Sequence, residues 1–218
     1  MIRLHHCPET RSMRVLWLLH EIGCPFEVVT HAFGRNLRAP DFLELNPAGR
    51  VPALELDGRK IWESGAMIEI LCERFPEAGL GRATEDPERV DWLIWLHFAE
   101  TVSQHSAALT QQHVALYEDA MRSPVVMKLE AARLGKCYAA LERRLDGREW
   151  LLDGGFSAAD VAVGQAVYMA RHFARIEPFE ALQDWVWRCE ARPAFRAALP
   201  TPGEDRLYAQ DFYAAWEP

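Results

Sequence analysis

Asn46-Pro47-Ala48-Gly49-Arg50-Val51-Pro52-Ala53-Leu54-Glu55-Leu56-Asp57-Gly58-Arg59-Lys60-Ile61-Trp62-Glu63-Ser64 is the stretch on which the fold turns. Val51 to Leu56 reads as a strand, Asp57-Gly58 as a two-residue hairpin turn, and Lys60-Ile61-Trp62 as the returning strand. Ser64 to Phe75 then reads as a helix with Ile68, Leu71 and Cys72 on one face. Upstream, Ile2 to His6 is a short strand. Ser12 to Glu21 follows as a helix, carrying Met13, Val15, Leu16, Leu18 and Leu19 and stopped by Gly23. Phe26 to Thr30 alternates and is β-branched, as a strand does. A polar loop occupies Gly34 to Pro40, and Phe42 to Leu45 forms a short helix ended by Asn46-Pro47. The opening strand–helix–strand predicts a parallel pair with a crossover, to which the hairpin adds two strands.

Strand signals stop after this region. Pro76 to Pro87 is rich in Pro, Gly and charge and reads as a boundary. Beyond it lie helices over Val90 to Ala120, Val125 to Leu145, Ser157 to Phe173 and Phe179 to Ala191, the last broken by Pro193. The tail from Pro200 carries Tyr208, Phe212, Tyr213 and Trp216. The expected domains are 1–77 (α/β), a linker at 78–87, and an all-helical domain at 88–218. Ser157 and Asp160 form a capping box with Asp in place of Glu, which assigns that pair to folding rather than catalysis.

The 218 residues are half apolar and include eight tryptophans, enough for a sizeable core. Lys and Arg number 24 against 32 Asp and Glu, a net charge of −8 with no basic run, which argues against a nucleic-acid partner. Cys7, Cys24, Cys72, Cys137 and Cys189 are scattered, with no C-x-x-C. That pattern is neither a disulfide framework nor a zinc site and suits a reducing compartment. No apolar run reaches the roughly 18 residues of a membrane span, and the N-terminus has no signal-peptide stretch. A cytoplasmic protein with no membrane partner is expected. His97, His105 and His113 recur at eight-residue spacing, unlike the i, i+4 spacing of a helical metal pair, so no metal is expected.

Several motifs together resemble the soluble glutathione transferases. Asn46 to Pro52 is close to the family's N-P-x-G-x-V-P pattern, and Glu63-Ser64 follows at a helix start. Arg14-Val15-Leu16-Trp17 looks like the first helix of many bacterial members, and Ser157-Ala158-Ala159-Asp160 matches the motif opening the central C-terminal helix. The resemblance spans nearly the whole chain in the expected order. It implies a thioredoxin-like N-terminal domain with a mixed four-stranded sheet, an all-α C-terminal domain, and a homodimer formed through the Ser64–Phe75 and Val90–Ala120 helices.

The resemblance also implies glutathione as co-substrate and a cis Pro52. Val51 would pair its backbone with the cysteinyl part of glutathione like an added strand. Glu63 and Ser64, at a helix N-terminus, would hold the γ-glutamyl end, and Arg50 the glycyl carboxylate. The group nearest the sulfur should lie in His6-Cys7-Pro8-Glu9-Thr10-Arg11-Ser12. No Tyr sits in the first strand, and three candidates stand: Thr10, where many bacterial members carry Ser; Ser12, which also suits a helix cap; and Cys7, since Cys7-Pro8 resembles the omega class. Arg11 would add positive potential. A hydroxyl implies activation of the glutathione thiolate against a small hydrophobic electrophile. A low-pKa Cys7 implies a thiol transferase or reductase, and a non-catalytic glutathione-transferase-like binding protein is a further alternative. Trp92, Trp95, Phe98 and His105 are candidate walls for the electrophile.

Overall fold

The computed structural model describes residues 1–201, 203–204 and 206–215. Two compact units emerge, Met1–Arg89 with Glu190–Leu207, and Val90–Cys189 with Tyr208 onward.

The first unit is built on a four-stranded sheet in the order β2-β1-β3-β4, formed by β1 (Ile2–His6), β2 (Glu27–Thr30), β3 (Ala53–Leu56) and β4 (Arg59–Trp62). β1 runs parallel to β2 and antiparallel to β3, with Leu4 opposite Leu54, and β3 pairs antiparallel with β4. The hairpin turn places Asp57 and Gly58 at φ 50° and 84°, the positive values that a two-residue turn matched to strand twist requires. Crossover helix α1 (Ser12–Ile22) buries every residue from Ser12 to Leu19. Gly23, at φ 73°, closes it by donating its N–H to Leu19 O. The short helix α2 spans Pro40–Leu43, two residues earlier than its apolar residues suggest, because Pro40 at its first turn fixes a helical φ. Helix α3 (Ser64–Arg74) follows β4. Sheet order and helix placement make this unit a thioredoxin-like fold.

Residues 88–218 do not all group together. Pro193 ends one helix but also opens another, α8 (Pro193–Ala197), which packs on α1 in the first unit. Arg192 Nε and Nη2 grip the Glu21 carboxylate at 2.6 and 2.8 Å, a bidentate pair. Phe195 meets Trp17 edge to face at 4.9 Å. These long-range contacts, the Arg192–Glu21 pair spanning 171 residues, draw Glu190–Leu207 into the first unit.

The second unit contains α4 (Arg89–Thr110) from Val90 onward, α5 (Pro124–Leu145), α6 (Ala158–Ala170) and α7 (Glu180–Ala191) as far as Cys189. α6 is buried on nearly every side, as its Ala and Val content suggests. The expected helix over Val90–Ala120 is shorter in the structure. After Thr110 one π turn, Gln111–Ala115, is followed by extended Leu116 and a 3-10 turn at Asp119–Met121. Gln112 Oε1 accepts from Ser123 N at 2.7 Å and Arg122 Nε donates to Leu116 O, side-chain bonds that turn the chain away from the helix axis. Ser123 then caps α5 ahead of Pro124. Trp92 is fully buried, and Trp95 lies edge to face with Phe98. Among the tail aromatics Trp216 lies outside the described residues.

Candidate functional site

Two segments of the first unit carry the sequence-derived candidates. The first is the turn from β1 into α1. Ser12 Oγ lies 2.8 Å from His6 Nδ1 and 2.8 Å from Thr10 Oγ1, and accepts from Cys7 N at 3.0 Å. Thr10 Oγ1 also lies 2.8 Å from Cys7 O. Ser12 is fully buried, while Thr10 retains 8% exposure and is the outer member of the His6–Ser12–Thr10 chain. Arg11 immediately precedes α1 and makes no side-chain cap. Cys7 is buried in an apolar cluster with Leu37, Phe42 and Ala53, against which Val51 packs. Burial pushes the Cys7 thiol up to about 11, so at neutral pH it is protonated and a poor nucleophile.

Burial pushes the His6 imidazole down to about 4, with Glu204 pulling more weakly the other way. The neutral ring can accept at Nδ1 from Ser12, whose Oγ also accepts from Cys7 N–H and lies 3.0 Å from Cys7 O, while the Thr10 hydroxyl donates to Cys7 O. The unfolded chain takes up a proton near pH 6.5 that the folded chain refuses. Stability is therefore full above that pH and falls as the pH drops towards 4, by up to about 3 kcal/mol from this group. The melting temperature of the wild type should fall more steeply between pH 7 and 5 than that of His6→Gln. Parallel profiles would remove His6 as the cause.

The second segment joins the loop before β3 to the start of α3. The Val51–Pro52 peptide is cis. Asn46, buried, holds the loop from inside: its Nδ2 donates to Arg50 O at 2.6 Å and Pro52 O at 3.3 Å, and its Oδ1 accepts from Ala48 N. Gly49 is required here, because its φ is 61° and an added Cβ would lie 3.0 Å from Leu37 O. Arg50 and Glu63 are exposed and Ser64 is buried. Glu63 adopts φ 75° at the strand-to-helix junction and gives α3 no side-chain cap. No acidic residue stands in the first turn, so the positive potential of the helix start is not offset there. Arg14 is 1% exposed and its Nη1 donates to Ser64 Oγ at 3.1 Å. A buried guanidinium at an uncapped helix start favours an anion.

Arg14, Asn46, His6 and Glu9 are the residues that sequence reasoning passed over. Arg14 was visible only as a helix landmark, although a lone cation within the apolar run 13–19 is the signal of a buried charge. Glu9 is 2% exposed, sits at φ 53°, and pairs with Arg206 at 3.3 Å. Glu9 and Glu63 share with Asp57 of the hairpin turn a positive φ, but unlike Asp57 they lie outside a hairpin, in a backbone state concentrated at working sites. In the second unit His105 Nδ1 bonds the buried Glu130 at 2.6 Å, and no group of three or more metal-ligating side chains occurs among the described residues. No helix among them is long and apolar enough to cross a membrane.

A thioredoxin-like unit with a cis-proline loop beside an uncapped helix start, joined in one chain to a helical unit, defines a class, and sequence comparison gives the family. The model for the glutathione S-transferase N-terminal domain matches residues 1–71, and that for the glutathione S-transferase C-terminal domain matches residues 112–193. The chain belongs to the soluble glutathione S-transferase family. It is 24% identical over 218 residues to glutathione S-transferase 3 of Schizosaccharomyces pombe, covering 95% of this chain and 90% of that protein. It is 26% identical over 206 residues to glutathione S-transferase GstB of Escherichia coli K12, covering 88% and 94%. Among solved structures, a sphingomonad glutathione S-transferase complexed with glutathione superposes with a TM-score of 0.76 at 27% identity, over 90% of this chain and 96% of that one.

Proposed function

We propose that this chain binds glutathione and activates its thiol for attack on a small hydrophobic electrophile. The observation that carries the reading is the buried Arg14 guanidinium bonded to Ser64 at the uncapped start of α3. Ser64 Oγ accepts from Arg14, which leaves its own proton to donate, together with the α3 N–H groups, to the γ-glutamyl carboxylate of glutathione. Glu63 would hold the adjacent ammonium, the Val51 backbone would pair with the cysteinyl residue, and Arg50 would meet the glycyl carboxylate.

Thr10 is the proposed donor to the thiolate. It is the least buried member of the hydroxyl chain, and Ser12 behind it keeps its oxygen engaged with His6, Thr10 and the Cys7 amide. A thiolate arriving beside Thr10 draws the hydroxyl proton away from Cys7 O, and the start of α1, with Arg11, adds positive potential. The raised Cys7 thiol speaks against a mixed-disulfide route. The reading includes a cytoplasmic homodimer, for which the exposed Val90 and Ile94 of α4 offer apolar surface.

Calorimetric titration with glutathione tests the binding half. Wild type should bind with saturation, and Ser64→Ala should bind about tenfold more weakly, the loss of one hydrogen bond to a charged group. Equal affinities would remove Ser64 from the site.

A further inference from the structure

The single π turn at Gln111–Ala115 carries His113. Such turns occur often at functional sites. The His113 ring stacks on Phe173 at 5.6 Å and tilts against Tyr213 at 5.5 Å. Its Nε2 is buried and has no hydrogen-bond partner among the described residues. Buried polar atoms of native proteins are nearly always paired, so this orphan calls for a partner that the described residues do not supply.

A cavity of about 580 Å³ adjoins it, lined by His113, Arg122, Met127, Gln210, Tyr213 and two alanines. The volume suits a small organic molecule. Among the described lining residues Arg122 is the one ionised side chain. Its Nε donates to Leu116 O at 2.8 Å and its Nη1 to the exposed Asp119 at 2.9 Å. These bonds fix the guanidinium while engaging two of its five N–H donors. Burial and the neighbouring Arg122 both hold the His113 imidazole below its ordinary pKa, as expected of a ring kept neutral beside a cation.

We propose that this cavity binds an aromatic molecule bearing a carboxylate, its acid group received by His113 Nε2–H and Arg122 and its flat apolar body by Tyr213 and Met127. A carboxylate satisfies the orphaned nitrogen and the fixed cation at once. A hydroxyl or amide would satisfy only the first. The site lies wholly in the helical unit and does not rest on the glutathione reading.

Calorimetry on the full chain with phenylacetate, 2-naphthoate and 4-phenylbutyrate, each against its primary amide, tests the proposal. At least one acid should bind tenfold or more tighter than its amide, the difference expected of a hydrogen bond to a charged partner. Arg122→Gln should abolish that preference and leave amide affinity alone. Acid binding should also move the His113 ring resonances so that the ring titrates at higher pH, assigned by their loss in His113→Phe. Acid and amide binding alike, no acid binding below millimolar, or a preference that survives Arg122→Gln would each overturn the proposal. Glutathione affinity, measured on the same samples, reads the other site independently. An aromatic acid that also carries an electrophilic centre separates the two sources of such a ligand: turnover with a KM raised in Arg122→Gln marks a co-substrate, and tight binding without turnover marks a non-substrate ligand.

Discussion

Asp160→Ala is expected to destabilise the protein by about 4 kcal/mol or more, since it strands several buried donors at about 1–3 kcal/mol each. Asp160 is fully buried at the start of α6. One carboxylate oxygen accepts from Leu151 N and from Trp185 Nε1, both at 3.0 Å, and the other accepts from Ser157 N at 2.9 Å and lies 3.3 Å from Ser157 Oγ. The capping box is thus one part of a larger junction that ties α6 to the segment before it and to α7. Burial pushes this carboxyl's pKa up, while the backbone and indole donors pull it back. Three of the partners are obligate donors with no lone pair to accept a carboxyl proton, so the geometry fits the carboxylate. Denaturant midpoints of wild type, Asp160→Asn and Asp160→Ala provide the check. Asn keeps one acceptor oxygen and should fall between the other two. An alanine variant within about 1 kcal/mol of wild type would contradict the burial and bonding of this side chain.

The second large effect is expected at Arg14. Its guanidinium is buried and bonded to Ser64 across fifty residues of sequence. Arg14→Met keeps the length of the side chain but removes its charge and its donors. Glutathione affinity should then fall by 30-fold or more, about 2–3 kcal/mol for losing a charged hydrogen-bonding group that orients the anion site. Arg14→Lys should recover only part of this, because an ammonium lacks the planar fork. Circular dichroism and the melting temperature separate loss of the site from loss of the fold. A folded Arg14→Met protein with wild-type affinity would show that the cation serves packing alone.

Local elements were legible because each carried its own chemistry. The strand–turn–strand around Asp57-Gly58, the Gly23 stop and the Ser157–Asp160 cap all follow from residues within a few positions of one another. Distant pairings were not legible. Nothing near Arg192 announces Glu21, and nothing near Arg14 announces Ser64, so neither the return of α8 to the first unit nor the cation behind Ser64 could be read from pattern. The π turn escaped for a different reason. The α4 sequence stays helix-compatible through His113, and the bonds that divert it come from Gln112 to Ser123 and from Arg122 to Leu116. At the turn into α1 the three thiol-side candidates were equivalent as residue types. Burial separates them, sealing Ser12 and Cys7 and leaving Thr10 outermost.

Titration of the thiolate absorbance of glutathione bound to wild type and Thr10→Ala tests the central claim most directly. A free thiol titrates near pH ~8.5. The account predicts a bound thiol at least about one unit lower in wild type, moving back towards the free value in Thr10→Ala and staying low in Thr10→Ser. Saturable binding with an unshifted thiol in wild type would contradict it.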